Sequence, residues 1–229
     1  AGPPNVLEAQ NGFMQAFPGF REALLDLPSS SAHFGINDCY IKPYPCCRHL
    51  QPALEALLEL VKTHGLESDD IEAIEVETYS IAASHADTPW DSMASAQLSF
   101  PYILLAGLRF GSIDLDHFDE QHLRDPELGR LAANIRICRS DYMDTLYPSQ
   151  RPARVTLRTR KGQFEAFQEE ALGSRERPLG NDGVSAKFVK LVGPVCGDVT
   201  ARDVLAELWE LGSAGDVGAV LRRLIPSVD

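Results

Sequence analysis

One stripe of apolar residues marks the clearest helix of the chain. Its members recur at helical intervals: Leu50, Ala53, Leu54, Leu57, Leu58 and Val61. This spacing places them on one face of an α-helix. Proline is tolerated in a first helical turn, where Pro52 would lie, and glycine is typical just past a helix end, where Gly65 lies. The pattern predicts a helix that begins near His49, ends before Gly65 and buries one face.

Other segments show weaker helical patterns. Because proline is accepted near a helix start but not deep inside one, Pro101 places the start of a second helix near Ser99, a possible N-cap, with Gly111 past its end. The motif Thr200-x-x-Asp203 resembles a capping box at the start of another helix. The remaining helical segments are residues 5–25, divided at Pro18-Gly19, and residues 120–134, 184–191, 200–211 and 216–224.

Strands are indicated where apolar and polar residues alternate. Ile74 and Val76 alternate with glutamates, which is typical of a half-buried strand. Strands are also predicted at residues 33–40, at residues 135–137, and at 154–159 and 163–167, which flank Lys161-Gly162 as a β-hairpin. Residues 142–148 are assigned to a loop. Helices and strands in this order predict an α+β fold with a small mixed sheet and helices packed against it.

The composition describes an ordinary globular chain. The 229 residues are enough for one or two domains with a real core, and 44% are hydrophobic and 24% charged. The formal net charge of −12 argues against nucleic acid, whose phosphates would be repelled, although a local cationic pocket could still take a small anion.

Cysteine usage and hydropathy bear on location. Five cysteines form an odd set without a repeated C-x-x-C spacing, so neither a disulfide scaffold nor a zinc ribbon is indicated, and a reducing cytoplasm is the natural interpretation. The longest apolar run, residues 102–108, is far too short to span a bilayer, and no targeting leader is apparent. We therefore expect a cytoplasmic protein that binds no membrane.

Reactive side chains crowd the segment IKPYPCCRH, residues 41–49, which we call the hook. Pro43 and Pro45 fix their own φ angles and bias the preceding residues toward extended geometry, so the hook should be stiff. Lys42 could serve as an acid or base if its surroundings lower its pKa, or as a fixed positive charge for a carboxylate. It could also be a solvated lysine beside a turn.

A second motif, SAQLSFPY at residues 95–102, opens the helix that starts near Ser99. Tyr102 falls in its first turn, where unpaired backbone N–H groups and the positive end of the helix dipole favour a nearby anion. Such an anion could be a substrate carboxylate or a phenolate. In the alternative interpretation Tyr102 is a core residue whose hydroxyl is satisfied within the protein.

These two motifs, followed by a later YP and a helix that contains KF, resemble the MmgE/PrpD family. That family includes 2-methylcitrate dehydratase, cis-aconitate decarboxylase and iminodisuccinate epimerase. The resemblance runs in order from about Leu7 to the last helix, so it covers nearly the whole chain. Together the two short motifs identify the family specifically, whereas either motif alone is a weak signal of membership.

The resemblance implies a cofactor-independent lyase that dehydrates or isomerises a small di- or tricarboxylate, such as 2-methylcitrate. Lys42 matches the hook lysine of the family and Tyr102 its helix-start tyrosine, so both are expected to be catalytic: Lys42 as proton carrier or carboxylate clamp, Tyr102 as donor or proton relay. Substrate contacts are expected from the rest of the hook: Cys46, Cys47, Arg48 and His49. No metal is expected, and a homodimer is implied.

The chain departs from the family pattern at two places. Cys47 stands where the decarboxylase branch has a histidine, and Gln51 stands where a histidine is common. Decarboxylation of cis-aconitate is therefore less expected than dehydration or isomerisation of another polycarboxylate. His49 could substitute for a missing histidine, although a histidine beside a helix start is more often a surface residue.

The resemblance also suggests three parts: residues 1–32 as the end of a helical domain, residues 33–172 as an α+β lid-like domain, and residues 173–229 as helices that return to the helical domain. In the family a large helical domain precedes the hook and supplies further catalytic residues. The expectation is therefore a fragment, a subunit that pairs with a separate helical partner, or an inactive remnant.

Three other functions are weighed against the lyase. The chain could be a non-catalytic interaction subunit that stabilises a helical partner. Cys46 and Cys47 could form a thiol-based redox sensor, which would require an exposed thiolate of low pKa. Together with His49 they could also bind zinc, but adjacent cysteines rarely reach one tetrahedral ion, and no second cysteine pair lies nearby in the sequence.

Overall fold

The computed structural model describes residues 35–213 and 215–225. The chain divides into two compact units, residues 1–39 and residues 40–229. In the first unit, Gly35–Asp38 forms a 3-10 helix. The predicted strand at 33–40 is therefore wrong in its described part, because glycine, asparagine and aspartate favour turns over extended structure. The predicted helix at 5–25 lies outside the described residues.

The second unit is built on one mixed four-stranded sheet with the order β2-β1-β3-β4. The strands are β1 Ile71–Thr78, β2 Ile135–Arg139, β3 Ala153–Thr159 and β4 Gly162–Gln168. β1 runs parallel to β2 and antiparallel to β3, and β3 and β4 form the predicted hairpin. The four strands predicted in this unit are all present, and the α+β class is confirmed.

Helix α1, Gln51–His64, packs against β3, β4 and a later helix. Four of the six residues of its predicted apolar stripe are buried, with Leu54 and Leu57 inaccessible to solvent, and the other two, Leu58 and Val61, are half-buried. The helix ends at Gly65, which adopts the left-handed conformation with φ 55°. A side chain would strain that conformation, so glycine is the suitable residue at this end. α1 therefore fixes the position of the hook that precedes it.

The remaining helices confirm some predictions and correct others. They are α2 Ser80–Ala83, α3 Met93–Ala96, α4 Phe100–Phe110, α5 Glu120–Leu123, α6 Pro126–Ala132, α7 Asp141–Leu146, α8 Gly180–Cys196, α9 Asp198–Trp209 and α10 Val217–Arg222. α4 begins after Ser99, whose hydroxyl accepts a hydrogen bond from the backbone N–H of Tyr102, and it ends at Gly111, as predicted.

Four predictions for the helical segments were wrong. The helix predicted at 184–191 is longer at both ends, because α8 spans Gly180–Cys196. Residues 120–134 form two short helices, because Asp125 caps the second one and Pro126 cannot continue the first. Residues 142–148 were assigned to a loop, yet most of them belong to α7. α9 begins at Asp198 after Gly197, so Thr200 and Asp203 lie inside the helix and form no capping box.

Residues 173–179 contain no helix or strand and form part of the connection from β4 to α8. They are nevertheless held firmly against the rest of the unit. Arg177 donates hydrogen bonds to Glu55 on α1 and to Gln168 at the end of β4. Ser174 is buried. This segment therefore forms part of the surface on which the hook rests.

Candidate active site

Gln97 ties the hook to the second motif through two hydrogen bonds. The side-chain amide of Gln97 donates a hydrogen bond of 2.9 Å to the carbonyl of Pro45. The backbone N–H of Cys47 donates one of 2.8 Å to the carbonyl of Gln97. The two motifs that carried the family resemblance are thus neighbours in space, although about 50 residues separate them along the chain.

Two side chains brace the inside of the hook. The amide nitrogen of buried Gln51 donates to the carbonyls of Tyr44 and Cys46 at 3.2 and 3.3 Å. The ammonium of Lys42 donates to the same Cys46 carbonyl at 3.1 Å. Gln51 therefore holds the backbone of the hook at the position where the family often has a histidine.

The backbone of Lys42 is held on both sides. The N–H of the preceding residue, Ile41, donates a hydrogen bond of 2.9 Å to the carbonyl of Gly173. The ammonium of Lys187, on α8, donates to the carbonyl of Lys42 at 2.7 Å. These contacts come from two segments distant in sequence, and they fix where the Lys42 side chain begins.

A cavity of about 510 Å³ lies beside the hook, and we call it the hook cavity. Its wall is formed by residues 42–45 of the hook, residues 114–116 and helix α8. The charged residues of this wall are Lys42, Lys187, Lys190, Asp114 and Asp116. Three positive charges and two negative charges leave the wall with one net positive charge, on a chain whose net charge is −12.

Tyr44 also lines the hook cavity. Burial, and next the charge of Glu55, raise the pKa of Tyr44 to about 12, so its phenol stays protonated at neutral pH. The hydroxyl makes no hydrogen bond with the residues that the structure describes. A phenol in this state can donate a hydrogen bond to an anion inside the cavity.

Tyr102 lies in the core and does not line the hook cavity. Its hydroxyl donates to the backbone carbonyl of His117, and its ring contacts Trp90 and Phe118. Burial, ahead of the nearby aspartates, raises the pKa of Tyr102 to about 12. The structure therefore places Tyr102 behind the turn Leu115–Phe118, which forms part of the cavity wall, and not beside Lys42.

Arg48 is buried, and both terminal nitrogens of its guanidinium donate hydrogen bonds within the protein, whereas its Nε has no partner among the described residues. Its guanidinium forms an ion pair with Glu170 and donates to that carboxylate a hydrogen bond of 2.7 Å. It donates further hydrogen bonds to the carbonyls of Ala171 and Leu172. The guanidinium also lies 4.7 Å from the ring centroid of Tyr40. Removing one partner of a buried ion pair is costly, so this arrangement indicates a role in holding residues 170–172 against the hook.

His49 faces a different group of residues from Lys42. Its Nδ1 shares a hydrogen bond of 2.5 Å with the hydroxyl of Tyr79, and the rings of His85 and Tyr147 lie near it. Burial, and then the charge of Arg151, lower the pKa of His49, so the imidazole is neutral at pH 7. Lys42 and His49 flank the same turn but do not share the hook cavity.

The two adjacent cysteines have different surroundings. Cys46 is 2% exposed, and burial, followed by the proximity of Cys47, raises its pKa to about 12. A buried thiol of high pKa is a poor nucleophile, so Cys46 lacks the property that a redox sensor requires. Cys47 is partly exposed, and its backbone N–H is used in the contact with Gln97.

The part of the chain that the structure describes contains neither a metal-binding cluster nor a membrane-spanning helix. There, no group of three or more His, Cys, Asp and Glu side chains is arranged to hold a metal ion. No helix among the same residues has both the length and the apolar character needed to cross a bilayer.

Sequence reasoning missed four residues of this region: Tyr44, Gln97, Lys187 and Lys190. Tyr44 and Gln97 lie inside the two quoted motifs, so the motifs could have drawn attention to them. Lys187 lies 145 residues from its contact at the hook, and no local pattern signals that proximity. Gln51 was noted only as a departure from the family, and its bracing contacts depend on the folded hook.

The family model of the MmgE/PrpD C-terminal domain matches residues 44–211, which is most of the chain. Tyr44, Gln97 and α8 fall within the matched region, and Lys42 lies two residues before its start. No curated protein matches the chain.

Proposed function

Because the chain belongs to the MmgE/PrpD family, we propose that it carries the C-terminal half of a lyase active site for a small di- or tricarboxylate. The proposed reaction is dehydration of a 2-methylcitrate-like hydroxy acid or a related isomerisation. A helical domain, on the same polypeptide or a separate one, is expected to supply the other half of the site, and the assembly is expected to be a homodimer.

The observation that supports this proposal is the set of three lysine residues that line the hook cavity. Lys42, Lys187 and Lys190 approach it from the hook and from α8. Among the described residues each of them has one anionic or carbonyl partner, and an ammonium has three donors. Donors therefore remain for the carboxylates of a ligand, and charge-assisted hydrogen bonds of this kind are strong.

The proposed chemistry uses these groups where negative charge develops. Dehydration removes a proton from the carbon beside a carboxylate and expels the hydroxyl of the neighbouring carbon as water. Negative charge grows on the carboxylate in the transition state, and a nearby ammonium stabilises it. Lys42 is the residue we assign to that task, with Tyr44 as a neutral donor and Tyr102 as support for the wall. The elimination involves no net electron transfer, so it needs no redox cofactor.

The test is a turnover assay on a panel of 2-methylcitrate, citrate, cis-aconitate and related hydroxy acids. The chain is assayed alone and together with a helical domain from a family member, and the absorbance of the new double bond is followed. We expect turnover of at least one hydroxy acid when the helical domain is present. A well-folded protein that turns over none of them in either case would refute the lyase proposal.

A second candidate function, a non-catalytic binding subunit, is favoured by apolar side chains exposed on the C-terminal helices. Val195 is 59% exposed, Val199 75% and Trp209 49%. A surface of this kind can serve to bind a partner. Co-purification separates the two functions: a helical partner that restores turnover supports the lyase, and a tight complex with an independently active enzyme supports the binding subunit.

A further inference from the structure

The hook cavity has an apolar side as well as a cationic one. Leu115 of the turn, together with Leu179 and Leu191 of the α8 segment, lines the same cavity as the three lysines. Leu115 is 46% exposed and Leu191 is 45% exposed. Apolar surface left in contact with water beside a cluster of donors is typical of a small-molecule pocket, in which polar groups orient the ligand and apolar groups supply affinity.

A glycine on α8 allows one of these leucines to reach the cavity wall. A Cβ atom added at Gly183 would lie 2.5 Å from Cγ of Leu179, well inside van der Waals contact. Both residues line the hook cavity. The absence of a side chain at Gly183 therefore lets the Leu179 side chain lie against the start of α8.

A ligand that has carboxylates but no aliphatic substituent would leave the apolar side of the hook cavity without a contact. A small dicarboxylate such as succinate can be bound by the ammonium groups, but it offers little apolar surface to three leucine side chains. Burial of an aliphatic group contributes about 0.8 kcal/mol per methylene, which is about a fourfold gain in affinity. A ligand that carries an aliphatic substituent would exploit both sides of the cavity at once.

We propose that the hook cavity binds amphipathic carboxylates: di- or tricarboxylates that carry an aliphatic substituent longer than a methyl group. The carboxylates lie against Lys42, Lys187 and Lys190, and the substituent lies against Leu115, Leu179 and Leu191. This inference rests on the proposed function, because it assumes that the cavity is the substrate site, and it narrows the substrate class of that site.

The experiment is a calorimetric titration of the full chain with succinate and with a series of 2-alkylsuccinates from methyl to hexyl. We expect Kd to fall about threefold to fourfold for each added methylene until the cavity is filled. In the variant Leu191→Gln, the gain in affinity per added methylene should be much smaller than in the unmodified protein.

A matched control lies on the same helix. Val195 is 59% exposed and is not among the residues that line the hook cavity, so Val195→Gln should leave the whole series unchanged. If succinate and its alkyl derivatives bind equally well, the amphipathic ligand is refuted while the carboxylate site stands. If no member of the series binds, both this inference and the proposed carboxylate site are contradicted.

Discussion

Replacing Lys42 by methionine is expected to lower kcat/KM for the best substrate of the panel by a factor of about 10²–10⁴, the range that a positioned acid–base or charge-stabilising group supplies. Methionine keeps most of the side-chain length and removes the ammonium that lines the hook cavity. The fold should survive, because the lysine contributes one hydrogen bond to the hook, to the carbonyl of Cys46, and Gln51 donates to the same carbonyl. Steady-state kinetics with the helical domain present measures the effect.

Two further variants show what the Lys42 result means. Lys42→Arg keeps the charge but is a far weaker acid, so substantial activity in that variant indicates a carboxylate clamp, and its loss indicates proton transfer. Lys62→Met removes a lysine from the exposed side of α1 and should leave activity unchanged. Full activity of Lys42→Met would exclude Lys42 from the site.

The variant Gly173→Ala is expected to destabilise the protein by about 3 kcal/mol, a sum of the cost of a left-handed alanine and the cost of overpacking. Gly173 has φ 85°, and a Cβ atom there would lie 1.9 Å from the backbone carbonyl oxygen of Ile41. That oxygen belongs to the residue before Lys42 and cannot move without moving the hook. The free energy of unfolding from urea titration measures the loss, and activity should fall with it.

Gly180→Ala is the matched control for this prediction. Gly180 has φ 72°, and nothing lies within 4 Å of an added Cβ atom. This variant should therefore incur only the backbone cost of roughly 1 kcal/mol. Equal destabilisation by the two substitutions would show that the close approach of residue 173 to the hook is not what makes glycine necessary.

The helices and strands that were predicted correctly are those whose sequence pattern lies within the element itself. The stripe of α1, the alternation of Ile74 and Val76, and the boundaries set by Ser99 and Gly111 each depend on neighbours within one helix or strand. The apolar face of each helix or strand then becomes buried, because it must pack against another element to be removed from water. The α+β class was predictable from this information alone.

The wrong predictions arose where a local signal was overlooked or had a competitor. Asp125-Pro126 is a strong helix start, and it divides the helical pattern of residues 120–134 into two. Thr200 and Asp203 have the spacing of a capping box, but Gly197 ends α8 and lets α9 begin at Asp198, one turn earlier than the box requires.

The candidate site was only partly predictable, because long-range contacts assemble it. The hook lysine was identified by its motif, but Lys187 and the turn at residues 114–116 reach the cavity from segments far away in the sequence. Tyr102 was placed correctly in a first helical turn, yet the sequence could not indicate that its hydroxyl turns toward the carbonyl of His117. A motif identifies a residue type at a position but not the direction of its side chain.

The most direct test of this account is the equilibrium binding of citrate to the full chain and to Lys42→Met and Lys190→Met, with Lys62→Met as control. A charge-assisted hydrogen bond contributes about 1.5–3 kcal/mol, so each cavity variant should bind citrate roughly tenfold or more weakly. The control should bind as the unmodified protein does. Equal binding by the unmodified protein and Lys42→Met would place citrate elsewhere and contradict the assignment of the hook cavity as the carboxylate site.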